Sequence, residues 1–150
     1  MSVYWDILSA CKSALQADPD FAAASVTVAV RKRPFFSADH GDAYPLCCLS
    51  PTSEKVKALQ MSNGAWYDHP VRVVVFLAKN AALASETQLQ LQLQLREAAR
   101  SALYRDSLAG VASVRDCDYD PEPAFDLGAL AEQHDVSCQQ FTFRTDGPRV

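Results

Sequence analysis

Apolar positions recur along the chain with two different periods. Val3, Ile7, Leu8, Cys11, Ala14 and Leu15 fall at helical spacing, which predicts a first helix over Val3–Leu15. Asp18-Pro19-Asp20 ends it, because the residue before a proline is pushed out of the helical region. From Ser25 to Arg33 the period drops to two. Val26, Val28 and Val30 share one face and Thr27, Ala29 and Arg31 the other, the pattern of a strand with one wet face. Phe35–Ala43 is punctuated by Ser, Asp and Gly and reads as a loop. Tyr44–Leu49 is a short strand stopped by Pro51. Thr52–Gly64 is polar and weakly patterned, with one helical turn expected around Lys55–Leu59 and a tight turn at Asn63-Gly64. His69–Lys79 is the most apolar stretch. Val71, Val73, Val75 and Leu77 share one face while Val74 and Phe76 occupy the other, so a central strand covered on both sides is expected.

The segment from Glu86 to Asp106 contains a run in which Leu and Gln alternate from Leu89 to Leu95. Period two favours a strand, but composition outweighs it. Leu, Gln, Arg, Glu and Ala are strong helix formers, and no β-branched residue follows Thr87. Ser85 and Gln88 have the spacing of a capping box, and the run is longer than an ordinary strand. As a helix it carries two stripes. Leu91, Leu95, Ala98, Ala99 and Ala102 form a flat one suited to a sheet; Leu89, Leu93 and Tyr104 form a second, suited to another helix or another subunit. Gly110 is the expected stop.

Val111–Tyr119 is a fourth strand, and the acidic, proline-broken stretch Asp118–Ala129 an exposed loop. Val136–Arg144 is the last strand. Val136 and Cys138 point one way and Phe141 and Phe143 the other, and a bulge at Gln139-Gln140 would account for the change. The order α-β-β-β-α-β-β predicts a single α+β domain over residues 1–150. Its two layers are a mixed or antiparallel sheet of about five strands, with hairpins joining the early ones, and two main helices stacked on it.

Composition then removes several functions. A net charge of −4 disfavours a protein that grips nucleic acid, which needs clustered Lys and Arg. No apolar run is long enough to span a membrane, and Asp6 and Lys12 interrupt the N-terminal stretch where a signal peptide would be apolar. Five cysteines, Cys11, Cys47, Cys48, Cys117 and Cys138, lack any CxxC or zinc-type spacing, so they read as reduced, semi-buried hydrophobes of a cytosolic setting. Cys47 and Cys48 should face opposite sides of their strand.

Few side chains converge on chemistry. Asp39-His40-Gly41-Asp42 has metal-ligand residue types but too few of them, and a solvated turn is the expectation. His69 should be partly exposed at a strand start, and His134 lies beside Asp135 and near Glu132. A thiol nucleophile at Cys47, Cys48 or Cys138 has no activating sequence context. Glycine-rich phosphate loops and nucleophile elbows are absent from the sequence. No catalytic, cofactor-binding or metal-binding residue is therefore assigned. Arg31-Lys32-Arg33 reads as a solvated strand edge. Against it stand four acids, Asp116, Asp118, Asp120 and Glu122, and the two groups are candidates for pairing between subunits.

The order of features resembles the tail terminator proteins of long-tailed bacteriophages, also called minor tail or tail completion proteins. It is carried by the helix Val3–Leu15 and the strand SVTVAV. Next come the segment Tyr44-Pro45-Leu46-Cys47-Cys48-Leu49, the apolar strand VRVVVFLA and the long helix. The strand running into Arg115-Asp116-Cys117-Asp118-Tyr119-Asp120 and the closing strand Val136–Thr145 complete it. Pro121-Glu122-Pro123 and the length of Thr52–Tyr67 depart from that pattern. The resemblance implies a virion protein without enzymatic activity, made in the host cytoplasm and assembled as a ring, commonly a hexamer. The ring would cap the tail tube, meet the head-side connector or stopper, and let DNA pass without specific binding. A head–tail connector of the neck, a small protein-binding module and a small Cys or His enzyme are the alternatives.

Overall fold

A computed structural model describes residues 2–52, 54–58, 64–79, 85–120 and 134–148. In chain order the elements are α1 (Val3–Gln16), α2 (Pro19–Ala23), β1 (Thr27–Val30), β2 (Leu46–Pro51), β3 (Lys55–Ala58), β4 (Gly64–Lys79), α3 (Glu86–Leu103), β5 (Val114–Asp120) and β6 (His134–Pro148). Five strands form a continuous path, β1-β2-β4-β6-β5, and β3 pairs with β4 beside it. Among the described residues only β1 and β2 are parallel, and the other strand pairs are antiparallel. The expected α+β arrangement of helices on a mixed sheet is present.

One face of the sheet carries the helices. Ile7, Leu8, Cys11 and Leu15 of α1, Phe21 of α2 and Leu95, Ala98, Ala99 and Leu103 of α3 pack with Val71, Val73, Val75 and Leu77 of β4 and with Phe141 and Phe143 of β6. The flat stripe of the Leu/Gln run thus faces the sheet, while Leu89 and Leu93 are exposed. Ser85 caps α3 by accepting from the Gln88 amide at 3.3 Å. The second face holds a smaller cluster of Leu46, Cys48, Val74, Phe76, Val136 and Cys138, covered by Phe36 and Tyr44 of the 31–45 segment. Cys47 and Cys48 do lie on opposite faces. β4 is apolar on both faces because both are covered.

The structure corrects several expectations. β1 and β2 are not a hairpin: residues 31–45 cross the second face and return the chain to run parallel. The segment expected to hold a helical turn at Lys55–Leu59 contains β3, paired antiparallel with Gly64–Asp68's stretch of β4 from Lys55↔Asp68 to Ala58↔Ala65. Pairing to a neighbouring strand outweighs the weak local pattern. Asp18 opens a helix as well as following one. Its carboxylate accepts from the Asp20 and Phe21 amides, and Pro19 occupies the first turn of α2. α3 stops at Leu103, before Asp106, and Gly110 sits at φ +90° in the turn that joins Leu108 to Val111. No bulge interrupts β6 at Gln139-Gln140, where its register with β4 is continuous. Alternate residues of an unbroken strand face opposite ways. Val136 and Cys138 join the second cluster, and Phe141 and Phe143 the first. The loop expected at Asp118–Ala129 lies outside the described residues beyond Asp120, as do Asn63 of the predicted turn and Glu132.

β2 and β3 form a single interrupted line along β4. The interruption lies between Pro51↔Val71 and Lys55↔Asp68, opposite Pro70, which has no N–H to give to a ladder. Tyr4 of α1 patches this gap: its hydroxyl accepts from the Thr52 amide at 3.0 Å and donates to the Pro70 carbonyl.

Candidate functional site

The two outer strands of the sheet path are β1 and β5, and they differ in charge. On β5, Val114 and Cys117 point into the core, so Asp116, Asp118 and Asp120 stand on the open side and are exposed. Asp116 and Asp118 gather with Asp68 of β4 around Arg144 of β6. The guanidinium lies 3.0 Å from Asp68, 3.9 Å from Asp116 and 3.7 Å from Asp118. Three carboxylates against one guanidinium leave the group net negative. The Asp68 hydrogen bond, followed by the neighbouring carboxylates, raises the Arg144 pKa. Arg115, on the same strand, bonds Asp146 at 3.2 Å. An aromatic row continues from this edge into the core. Tyr104, just after α3, lies 5.7 Å from Tyr119 of β5, which lies 5.0 Å from Phe141. The Tyr104 side chain of the second stripe is half exposed on the helix side of β5, the side opposite the acids.

At the opposite edge, Arg31 directly follows β1. It is not a free surface cation. Its guanidinium grips both oxygens of Asp42, at 2.8 and 2.7 Å, donates to the Phe35 carbonyl at 2.7 Å and lies 4.2 Å over the Phe35 ring. Asp42 also accepts from the Ser37 amide. The Arg31 hydrogen bond holds the Asp42 carboxyl down at about 2. This clasp explains the Asp39-His40-Gly41-Asp42 stretch without a metal: Asp42 serves Arg31, and His40 Nδ1 bonds Ser37 Oγ at 2.8 Å. Lys32 and Arg33, inside the clasped segment, are exposed. Of the predicted contact residues, the structure gathers Asp116 and Asp118 at Arg144, sets Tyr104 with Tyr119 on the opposite, helix-bearing face, and keeps Lys32 and Arg33 at the far edge. Leu89 and Leu93 stand on the first half of α3. Glu122 lies outside the described residues.

Side chains that carry chemistry elsewhere are used structurally. His69 is buried, contrary to expectation, because β4 begins at Gly64 and places it in mid-strand under the Tyr4 ring. Its Nε2 bonds Thr145 Oγ1 at 3.1 Å, and burial lowers its pKa. His134 bonds the Tyr44 hydroxyl at 2.6 Å and is likewise lowered, by burial first and then by Lys79. The five cysteines are buried and free. Burial pushes the thiols of Cys11, Cys47 and Cys48 up, and that of Cys117 up to about 12, the reverse of what a thiolate nucleophile needs. Among the described residues no group of His, Cys, Asp and Glu is arranged to hold a metal, and no helix is long and apolar enough to cross a membrane.

Sequence reasoning missed Phe35, Tyr119 and Arg144. Phe35 lay in a stretch read only as loop. Tyr119 and Arg144 acquire their roles from strand pairing, which joins residues distant in sequence.

A mixed sheet with its helices on one face, a short parallel edge at β1 and an acidic antiparallel edge at β5 defines an α+β domain built around a long central strand pair. No protein-family model and no curated protein matches the chain. A solved structure does share the fold. A chain of the virion of a native gene transfer agent particle superposes with a TM-score of 0.59, covering 97% of this chain and 98% of that one, at 18% identity.

Proposed function

We propose that the chain is a virion structural protein, the subunit of a ring, commonly a hexamer, at the tail or neck of a phage-like particle. In this reading the ring caps the tail tube and joins it to the head-side connector or stopper. Its partners are further copies of itself, the tube protein and the connector, and DNA passes through without being specifically bound. The observation that carries the reading is the end-to-end fold likeness to a chain from a gene transfer agent virion. The oppositely charged sheet edges and the buried, protonated thiols support assembly over catalysis. An acidic surface suits a conduit that must not retain phosphates.

The experiment is deletion of the gene in its producing strain, followed by electron microscopy and peptide mass spectrometry of purified particles. The chain is expected in wild-type particles, with immunogold labelling at the head-proximal end of the tail. Deletion is expected to leave filled heads and unjoined tubes. Absence of the chain from purified particles refutes the reading.

A further inference from the structure

We infer that the cavity beside the N-terminus of α1 is a receptor site for an alkylammonium head, held between His69 and Glu54. The site is separate from the charged sheet edges and does not rest on the ring reading.

The cavity, of about 370 Å³, is bounded by Val3 and Tyr4 at the start of α1, Glu54 ahead of β3, Tyr67 and His69 of β4 and Asp146 of β6. His69 is 5% exposed, and its Nδ1 has no hydrogen-bond partner. The other ring nitrogen, Nε2, is held by Thr145 Oγ1 at 3.1 Å. That bond sets the ring so that Nδ1 turns toward Glu54, whose Oε2 lies 4.0 Å away. Such a gap is too long for a hydrogen bond, and one donor nitrogen about 2.9 Å from each atom bridges it. A buried nitrogen left without a partner costs free energy until something supplies one.

The chemistry of the walls selects the occupant. Burial outweighs the pull of Glu54 and Asp68 and keeps the His69 ring neutral at pH 7. With Nε2–H donated to Thr145, Nδ1 is then an acceptor. Glu54 adds a second acceptor, and its side chain is 57% exposed at the mouth. Asp146 adds a further carboxylate, shared with Arg115 at 3.2 Å. No lysine or arginine is among the residues that line the cavity. A phosphate or carboxylate would therefore face carboxylates. The acids and His69 are not grouped as metal ligands, which leaves an organic cation. An ammonium has three donors and no acceptor, so it can serve Nδ1 and Glu54 together. Val3 and the rings of Tyr4 and Tyr67 offer apolar surface to the methylene stem that carries it.

The test titrates the full chain at pH 7 with two amines. Diaminobutane stands for a free amine, and Nα-acetyllysine methylamide for a lysine presented by another chain. Pentanol, similar in shape but uncharged, is the control. Long-range proton–nitrogen NMR reads the His69 ring directly. Without amine, Nδ1 is expected to be the unprotonated nitrogen. Amine is expected to shift the Nδ1 resonance saturably while the rings of His40 and His134 stay unmoved. Binding is expected to be about tenfold or more tighter than that of the alcohol. The tighter of the two amines names the source of the head. Glu54→Gln, at an exposed position, is expected to weaken amine binding about tenfold, with circular dichroism and the Nε2 resonance unchanged. The site is overturned if Nδ1 carries the proton in the free protein, since Glu54 then closes the gap by itself. It is overturned too if neither amine moves the Nδ1 resonance, if pentanol moves it equally, or if Glu54→Gln binds amine as wild type does. The virion reading is judged separately, by presence of the chain in purified particles.

Discussion

The Arg31–Asp42 clasp sets a measurable stability term. The two side chains are 18% and 8% exposed and meet through two hydrogen bonds, with Asp42 further held by the Ser37 amide. Its carboxyl falls from the ordinary 3.8 to about 2 in the folded chain. Such a shift corresponds to roughly 2.5 kcal/mol at most, and water reaching the pair reduces it to about 1 to 2 kcal/mol. The sign follows from linkage. A carboxyl whose folded pKa is depressed contributes fully above its unfolded value and loses that contribution as pH falls through the folded one. Asp42→Asn is therefore expected to lower unfolding free energy by about 1 to 2 kcal/mol at neutral pH. The gap to wild type should shrink as pH falls from about 4 to about 2. Urea titrations followed by circular dichroism at pH 7 and pH 2.5 read both numbers, and a cycle with Arg31→Met isolates the pair. A neutral Asp42→Asn at pH 7, or a deficit that stays constant into acid, refutes the reasoning.

Leu95→Ala removes a side chain buried between α3 and the sheet and should cost about 2 to 4 kcal/mol by chemical denaturation. Arg96 of α3 donates to Ser137 Oγ at 2.9 Å and to the Cys138 carbonyl at 2.6 Å. Arg96→Met should accordingly destabilise by about 1 to 3 kcal/mol, whereas Arg100→Met on the exposed side should stay within about half a kcal/mol. The native thiols should resist alkylation at pH 8 and react at once in denaturant, as measured by thiol titration. The raised thiol pKa values also predict falling stability as pH climbs past about 9, because the unfolded chain then releases protons that the folded one keeps. Rapid alkylation of folded protein would contradict the burial argument.

Periodicity carried the elements whose faces differ strongly in polarity. The stripes of α1 and α3 and both faces of β4 were legible because burial selects residues directly. Elements defined by pairing alone were not. β3 has no distinctive composition and exists because β4 offers it an edge; the parallel return of β2 depends on where the 31–45 segment crosses. α2 was signalled by Asp18-Pro19, which marks a helix start as well as a stop. The two oppositely charged groups were visible, since runs of like residues appear in any linear reading. The commitment of Arg31 to Asp42 was not, because a guanidinium takes whichever carboxylate the fold brings near. Nor was the stacking of Tyr104 on Tyr119, across a turn whose course the sequence leaves open.

The β4–β6 ladder is the spine of the sheet, running from Gly64↔Pro148 to Lys79↔His134. Its partners are more than fifty positions apart even at the near end, with a helix and a strand synthesised between them. A spine assembled from such distant segments has a high loop-closure cost and forms slowly. During translation the valine-rich β4 leaves the ribosome well before the strand that will cover its edge. For that interval it is an open, sticky template. Completion of the domain is thus deferred until β6 emerges, and copies cannot meet as finished subunits while still being made. Ribosome-bound chains halted before His134 should be digested throughout by protease, and those released after Pro148 should resist it.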